Sequence, residues 1–221
     1  MRLLIIGSRH HVDTMVSTAH GGSILDRGVA EVAADRYPGV TVEVEVELVD
    51  GFAELRRRLE AGGRPSADVV ILSVDDEVRR LGTRSTVAGT AVAAVEADLT
   101  AIADVYKAAE TRVIVANACT VDPDSWARSY AGREEEPVGL RAHRLDAMLV
   151  RVSHDLGISV VDVDRAVAEI GAAGKLDAAM VYGPEAAARI TDETVTVLAD
   201  YGFFDDRPLL EQVGAAAGEG S

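Results

Sequence analysis

Four short apolar runs constrain what this chain can fold into more than any other feature of its sequence. They cover residues 2–7, 67–74, 112–116 and 158–163, and polar residues follow each of them. Continuous runs of this length are typical of strands buried on both faces of a parallel sheet. A fifth run, residues 40–49, alternates valine and glutamate, which is typical of a strand with one solvated face. We therefore expect this strand at an edge of the sheet.

Stretches with apolar residues three and four positions apart separate these strands and predict helices. One helix begins at Ser23, after a polar link over residues 11–22, and ends before Tyr37. The other predicted helices cover residues 52–61, 89–110, 140–156, the segment up to Ile170, and 184–201. Strands that alternate with helices form a parallel sheet with helices on both faces. The sequence thus predicts an α/β three-layer sandwich with five parallel strands in the order 2-1-3-4-5.

Length and composition favour a single domain. With 221 residues, of which 48% are hydrophobic, the chain is long enough to bury one large core. We assign residues 1–213 to this domain and expect a disordered tail over residues 214–221, where glycine and alanine dominate. Residues 121–139 are rich in proline, aspartate, glutamate and arginine, and they contain the only tryptophan, Trp126. A connection of this length predicts a lid over a binding site.

The charge balance and the cysteine count exclude several classes of protein. The chain has 22 basic and 37 acidic residues, and its net charge of −15 repels nucleic acids and anionic membranes. No apolar run is long enough for a membrane span or a signal peptide, so we expect a cytoplasmic protein. Cys119 is the only cysteine, which excludes an internal disulfide and fits a reducing compartment. The bias toward alanine, valine, aspartate and arginine is typical of a GC-rich bacterium.

Reactive side chains directly follow the first and third strands. Ser8, Arg9, His10 and His11 follow the first strand, and Asp75, Asp76 and Glu77 follow the third. In the predicted strand order the topological switch lies between these two strands, so both groups are expected at one crevice. Ser8 is either a nucleophile with His10 or His11 as its base, or a cap for the next turn. Arg9 either binds an anionic group of a substrate or pairs with Asp75 or Asp76.

Three further assignments keep alternatives open. The histidines, His10, His11 and His20, and the carboxylates of residues 75–77 include the ligand types of a mixed nitrogen and oxygen metal site, or they are solvated charges. Asn117 either donates to an oxyanion or caps a loop. Cys119 is either a thiol nucleophile or a small buried residue. Residues 21–23 lack the lysine of a phosphate-binding loop, and we predict no cofactor.

Four segments carry a resemblance to a known family: residues 3–7, 69–74, 160–163 and 182–186. They resemble the SGNH (GDSL-like) hydrolases, a family of flavodoxin-like esterases, lipases and acyl-group hydrolases, and the resemblance extends over roughly residues 2 to 204. It implies a flavodoxin-like fold and acyl, ester or thioester chemistry, and it places Tyr182 at the start of the final helix. Phe203, Phe204 and the segment 207–210 suggest an apolar arm that packs on the body or on a second subunit, so a homodimer stays open.

The catalytic positions of that family carry other residues in this chain. Gly7-Ser8-Arg9 stands where the family has Gly-Asp-Ser, which places Arg9 at the nucleophile position. Residues 74–77 replace Gly-x-Asn-Asp, and Ala178 and Val181, or Asp177 and Met180 after a one-residue slip, stand where Asp-x-x-His belongs. The resemblance therefore implies a degenerate triad.

The leading hypothesis from the sequence is an SGNH-like enzyme that acts on a small-molecule or carrier-bound acyl compound. Ser8, His10 and His11 would carry the chemistry, with Asp75, Asp76, Asn117 and Tyr182 at the substrate. Arg9 would hold an anionic group of that substrate, and the loop of Trp126 would cover it. One alternative is a catalytically inactive binding or scaffold protein of a biosynthetic pathway. A second is a metal-dependent enzyme that uses His10, His11 and residues 75–77.

Overall fold

The sheet has five strands in the order β2-β1-β3-β4-β5, and each neighbouring pair of strands is parallel. The computed structural model describes residues 1–17, 25–63, 66–81, 88–120, 138–171 and 182–205. The strands are β1 (Arg2–Gly7), β2 (Glu43–Leu48), β3 (Val69–Ser73), β4 (Arg112–Ala116) and β5 (Ser159–Val161). This arrangement confirms the predicted fold class and strand order.

Helices cover both faces of the sheet. In chain order the helices of the described residues are α1 (Arg9–Met15), α2 (Val29–Arg36), α3 (Phe52–Glu60), α4 (Asp75–Leu81), α5 (Ala88–Ala108), α6 (Val138–Leu156), α7 (Val163–Glu169) and α8 (Pro184–Asp200). Helix α8 contacts α1, α2 and α7, whereas α5 contacts α3, α4 and α6. The two sets form the outer layers of a three-layer sandwich.

Burial follows the sequence pattern in four of the five strands. The exception is β5, expected to be buried on both faces: it lies at the second edge of the sheet, and Ser159 and Val160 are only half-buried. Every residue of β3 is buried, and so are all residues of β1 and β4 except the arginine that begins each strand. All residues of β2 stay at least partly exposed, as expected for an edge strand with alternating glutamates. Leu3, Ile5, Ile71 and Ile114 have no exposed surface. Burying each of these side chains stabilises the fold by about 1.5–3 kcal/mol.

Two helices differ from the prediction because hydrogen bonds at their N-caps, and not apolar periodicity, decide where they begin. Residues 11–15, expected in a polar link, belong to α1, which Ser8 caps. Helix α2 begins at Val29, and Gly28, whose N–H donates to Glu31 at 3.0 Å, is its N-cap. A Cβ at Gly28 would lie 2.5 Å from the nitrogen of Ser17, so only glycine fits where these two segments pass. The predicted cap, Ser23, lies outside the described residues.

The acidic group after β3 begins a helix that the sequence analysis did not predict. Asp75, Asp76 and Glu77 form the first turn of α4, where negative side chains interact favourably with the helix dipole. Helix α6 begins at Val138, so the last two residues of the expected insertion 121–139 are helical. Residues 121–137 and the expected tail 214–221 lie outside the described residues. No helix in the described part of the chain is both long enough and apolar enough to cross a membrane.

Candidate functional site

β1 and β3 separate at the edge of the sheet where the strands end, which we call the carboxyl edge, and we call the position between their ends the crevice. The two strands pair at Leu3 with Val69, Leu4 with Val70 and Ile5 with Ile71. β1 continues to pair with β2 as far as Gly7, so it separates from β3 after Ile5. The crevice therefore lies at the predicted topological switch.

Ser8 links the end of β1 to the start of α4. Its N–H donates to Asp76 Oδ2 at 2.8 Å, across the crevice. Its hydroxyl oxygen caps α1 by accepting the main-chain N–H of His11 at 3.5 Å, which is long for a hydrogen bond. The structure thus brings together Ser8 and Asp76 from the two groups that the sequence analysis assigned to one crevice.

His11 lies in the first turn of α1 and is buried, with 6% of its surface exposed. Its ring packs on Gly7, where an added Cβ would lie 2.7 Å from His11 Cδ2. Burial lowers the pKa of His11 to about 4, although Asp76 and a hydrogen bond to the main chain of Ile71 both act to raise it. The imidazole is therefore neutral at pH 7.

One ring nitrogen of His11 has no hydrogen bond. Nε2 is buried and has no partner among the described residues. In a neutral imidazole one ring nitrogen carries the proton and the other a lone pair, and a base role for Nε2 requires the lone pair there. A buried polar atom without a partner is uncommon in a folded protein and is frequent at functional sites.

Arg9 and His10, which stand between Ser8 and His11 in the sequence, are exposed. The Arg9 side chain is 60% exposed, and its Nη1 lies 3.7 Å from Asp13 Oδ1. Its ion pair is thus with Asp13 and not, as one alternative held, with Asp75 or Asp76. Adjacent positions on a helix point about 100° apart, which explains why His10 and His11 differ so strongly in burial.

Asp75 and Tyr182, which are far apart in sequence, are in direct contact. The Tyr182 hydroxyl donates to Asp75 Oδ2 at 2.7 Å, and both residues are buried. This contact joins the first turn of α4 to the segment that precedes α8. Glu77 has a different partner, because its Oε1 accepts the main-chain N–H of Phe52 at 2.6 Å and so ties α4 to the start of α3.

Asn117 follows β4, and both the oxygen and the nitrogen of its side-chain amide form hydrogen bonds. Its Oδ1 accepts the N–H of Val163 at 2.6 Å, and its Nδ2 donates to Asp162 Oδ1 at 3.3 Å. Asp162 is also the N-cap of α7, since it accepts the N–H of Arg165 at 3.0 Å. In this structure the amide connects the end of β4 to the first turn of α7.

Asp146 on α6 is a site residue that the sequence analysis missed. Its carboxylate accepts the N–H of Ala118 at 3.0 Å, just after β4. Burial raises its pKa to about 7, and the negative charges of Asp164, Asp75 and Asp162 act in the same direction, against the hydrogen bond from Ala118. The sequence could have indicated that Asp146 lies on the buried face of α6, because it stands four residues after Ala142 and three before Leu149.

The remaining candidates are distributed as follows. Cys119 is fully buried. Within the described residues, no group of three or more histidine, cysteine, aspartate or glutamate side chains is arranged to hold a metal ion. His20, Trp126 and the positions matched to Asp-x-x-His, residues 177–181, lie outside the described residues.

The sequence matches no protein-family model and no curated protein. The structure is similar to several solved esterase structures. A variant of Axe2, an acetyl-xylooligosaccharide esterase from Geobacillus stearothermophilus, aligns with a TM-score of 0.68 and 14% identity over 89% of this chain and 93% of that chain. A member of the lipolytic protein G-D-S-L family from Veillonella parvula aligns with a TM-score of 0.59 and 14% identity over 90% and 98%.

A third structure is LAE5, an alpha/beta hydrolase enzyme from the metagenome of Lake Arreo, Spain. It aligns with a TM-score of 0.61 and 16% identity over 90% of this chain and 94% of that chain. At these identities the similarity shows the fold alone: the chain has an α/β fold similar to that of these esterases. Solved Axe2 structures include catalytic variants in which a serine, an aspartate or a histidine is replaced by alanine. The degenerate triad of this chain stays a prediction.

Proposed function

We propose that this chain is a bacterial, cytoplasmic enzyme that acts on an acyl, ester or thioester compound in the crevice between β1 and β3. The observation that carries the proposal is the hydrogen bond from Ser8 N–H to Asp76 Oδ2, three residues before a buried, neutral His11 on which the charge of Asp76 acts. The esterase fold of the chain agrees with this chemistry. We propose no cofactor for the reaction, and a small-molecule or carrier-bound substrate.

The proposed reaction uses Ser8 as the nucleophile. Its Oγ attacks the acyl carbon, the bond from that carbon to the leaving oxygen or sulfur breaks, and an acyl-serine forms. The proton of the hydroxyl passes through His11 to the leaving group. Water then adds to the acyl-serine, and the carbon–Oγ bond breaks to release the acid and restore the hydroxyl.

His11 suits the role of general base better than His10. Burial keeps His11 unprotonated at pH 7, as a general base requires, although the lowered pKa also makes it a weaker base than a free imidazole. Its Nε2 has no hydrogen-bond partner in the described chain, whereas His10 is exposed to solvent. The negative charge of Asp76 would stabilise the imidazolium that forms when His11 takes the proton.

The test is the hydrolysis of p-nitrophenyl acetate and of an acetyl thioester by the native protein and three variants. Ser8→Ala and His11→Gln should each lower kcat by a factor of about 10²–10⁴, the usual contribution of such groups. His10→Ala is the matched control and should keep native activity, because this side chain is exposed. Turnover that is equal in all four proteins would refute the serine mechanism.

A second candidate function is a binding or scaffold protein that kept the fold without the reaction. One observation favours it: Ser8 N–H, which could stabilise an oxyanion, already donates to Asp76. In this case the native protein would turn over neither ester nor thioester, yet it would bind a ligand at the crevice.

A further inference from the structure

A cavity of about 550 Å³ opens at the edge of the sheet where the strands begin, which we call the amino edge. Three of its lining residues belong to the starts of strands: Arg2 in β1, Asp68 directly before β3 and Arg112 in β4. Glu110, which follows α5, and Phe203, which follows α8, also line it. A cavity of this volume is within the usual range of sites that bind small molecules.

The two arginines of this cavity lack the ion pairs that most arginines of the described chain form. Arg36, for example, lies 2.7 Å from Asp192. Within the described residues neither Arg2 nor Arg112 has an ion pair, although both are exposed and two carboxylates line the same cavity. A guanidinium group binds a carboxylate through two parallel hydrogen bonds, so these two side chains are available to hold an anionic group of a ligand.

Glu110 has a main-chain conformation that usually requires glycine. Its φ is 59°, and within the described part of the chain it is the only residue other than glycine with a positive φ. Its N–H donates to the carbonyl of Lys107 at 3.0 Å, and Thr111 N–H donates to the carbonyl of Tyr106 at 2.9 Å, which is the hydrogen-bond pattern of a helix end that favours glycine. Strained residues cluster at ligand-binding sites. The strain therefore indicates that the carboxylate of Glu110 has a role at the cavity.

Asp68 is the second carboxylate of the lining, and the sheet holds it in place. Its Oδ2 accepts the main-chain N–H of Arg2 at 2.6 Å, and its own N–H donates to the carbonyl of Arg2 at 2.9 Å. A carboxylate has about four lone-pair sites, so Asp68 can accept further hydrogen bonds from a ligand. The cavity thus combines guanidinium donors with carboxylate acceptors.

The balance of charges in the lining selects the ligand. Arg2 and Arg112 are positive, whereas Asp68 and Glu110 are negative. A ligand with a single charge would meet as many repelling groups as attracting ones, but a zwitterion can place each of its charges beside the opposite charge. Phe203, which is half-buried and packs against the core, adds an aromatic wall for an apolar part of the ligand.

We propose that the cavity at the amino edge binds a small zwitterion of the amino-acid class. Arg2 and Arg112 bind its carboxylate. Asp68 and Glu110 accept hydrogen bonds from its ammonium group, and its apolar part packs on Phe203. Binding there does not depend on the hydrolysis proposed at the crevice, which lies at the opposite edge of the sheet.

The binding test compares three probes that share a phenyl ring and differ in charge: L-phenylalanine, 3-phenylpropionate and 2-phenylethylammonium. Each is titrated into the native protein at pH 7, and its Kd is measured by calorimetry. We expect saturable binding of L-phenylalanine and about tenfold weaker binding of the other two, because each lacks one charged group. No saturable binding of L-phenylalanine, or equally tight binding of either other probe, would overturn the inference.

Arg112→Gln and Glu110→Gln should each weaken the binding of L-phenylalanine about tenfold, as is typical of the loss of a charged hydrogen bond. The controls are Arg151→Gln and Asp35→Asn, which change the net charge in the same way at exposed residues outside the cavity. Both should leave the Kd unchanged. An equal loss of affinity in the controls would refute the site, because net charge and not the cavity would then determine binding.

Glu110→Gly separates the role of this side chain in binding from its effect on the fold. Glycine adopts the positive φ without strain, so the Tm should rise by about 2–4 °C. The binding of L-phenylalanine should weaken as it does in Glu110→Gln. A lower Tm would show that the glutamate serves the fold, and unchanged binding would show that it does not serve the ligand, so either result would overturn the inference.

Discussion

The crevice between β1 and β3 and the end of β4 and β5 lie on the same edge of the sheet, yet they use their polar side chains differently. At the second region both ends of the Asn117 amide are hydrogen-bonded, and they hold β4 against α7. At the crevice the strands have separated, and buried His11 keeps a nitrogen without a partner. Polar residues follow the strands in both regions, so their presence alone does not identify a reactive group. What distinguishes a structural cap is that all of its polar side-chain atoms have hydrogen-bond partners, whereas a candidate reactive group keeps one without a partner.

The largest expected effect concerns the stability of the crevice in acid. The unfolded chain protonates His11 near its ordinary pKa of 6.5, whereas the folded chain resists protonation until about pH 4. The unfolded state therefore binds more protons within this range, and the free energy of unfolding falls as the pH is lowered from 6.5 to 4, by about 3 kcal/mol in total. Urea denaturation of the native protein and of His11→Gln should show this loss in the native protein and a flatter profile in the variant.

Asp146 at the second region has the opposite pH dependence. Its pKa is raised to about 7 in the folded state, so the folded chain binds more protons than the unfolded chain between pH 4 and 7. Its contribution to stability is therefore present in acid and is lost as the pH rises through 7. In Asp146→Asn the free energy of unfolding should therefore fall more steeply with decreasing pH than in the native protein. If neither His11→Gln nor Asp146→Asn changed the pH dependence of the free energy of unfolding, the difference between the two regions would be refuted.

A smaller effect on the free energy of unfolding distinguishes the cap at Asn117 from the cap at Ser8. Asn117→Ala removes the acceptor of Val163 N–H and should lower the free energy of unfolding by about 2 kcal/mol. Ser8→Ala should cost less than about 1 kcal/mol, because the hydrogen bond that its hydroxyl accepts is 3.5 Å long. Thermal or urea denaturation of both variants checks this order, and a larger loss in Ser8→Ala would contradict it.

The sheet could be predicted from the sequence because its signals are local. Uninterrupted apolar runs mark the buried strands, and the valine and glutamate alternation marks β2 as the edge. Helices α1 and α4 could not be predicted in this way, because polar residues fill the first turn of each, Arg9, His10 and His11 in α1 and Asp75, Asp76 and Glu77 in α4. A polar first turn hides the apolar period from which a helix is predicted.

The candidate site could be predicted only in part. The neighbourhood of Ser8 and Asp76 follows from strand order, since both residues come directly after adjacent strands. The burial of His11 and the exposure of His10 depend on which way a short helix faces, which the sequence does not show. Asp146 comes to the edge from α6, and the contact with Ala118 depends on how that helix packs.

The most direct test of this account is the NMR titration of His11 in the native protein. With ¹⁵N-labelled histidine, the account predicts a neutral ring at pH 7, with the proton on Nδ1 and a free lone pair on Nε2. It also predicts a pKa of about 4 for His11, while His10 serves as the exposed reference in the same spectrum. A His11 pKa at or above 6.5, or a proton on Nε2, would contradict the description of the crevice as the place where a neutral base meets its substrate.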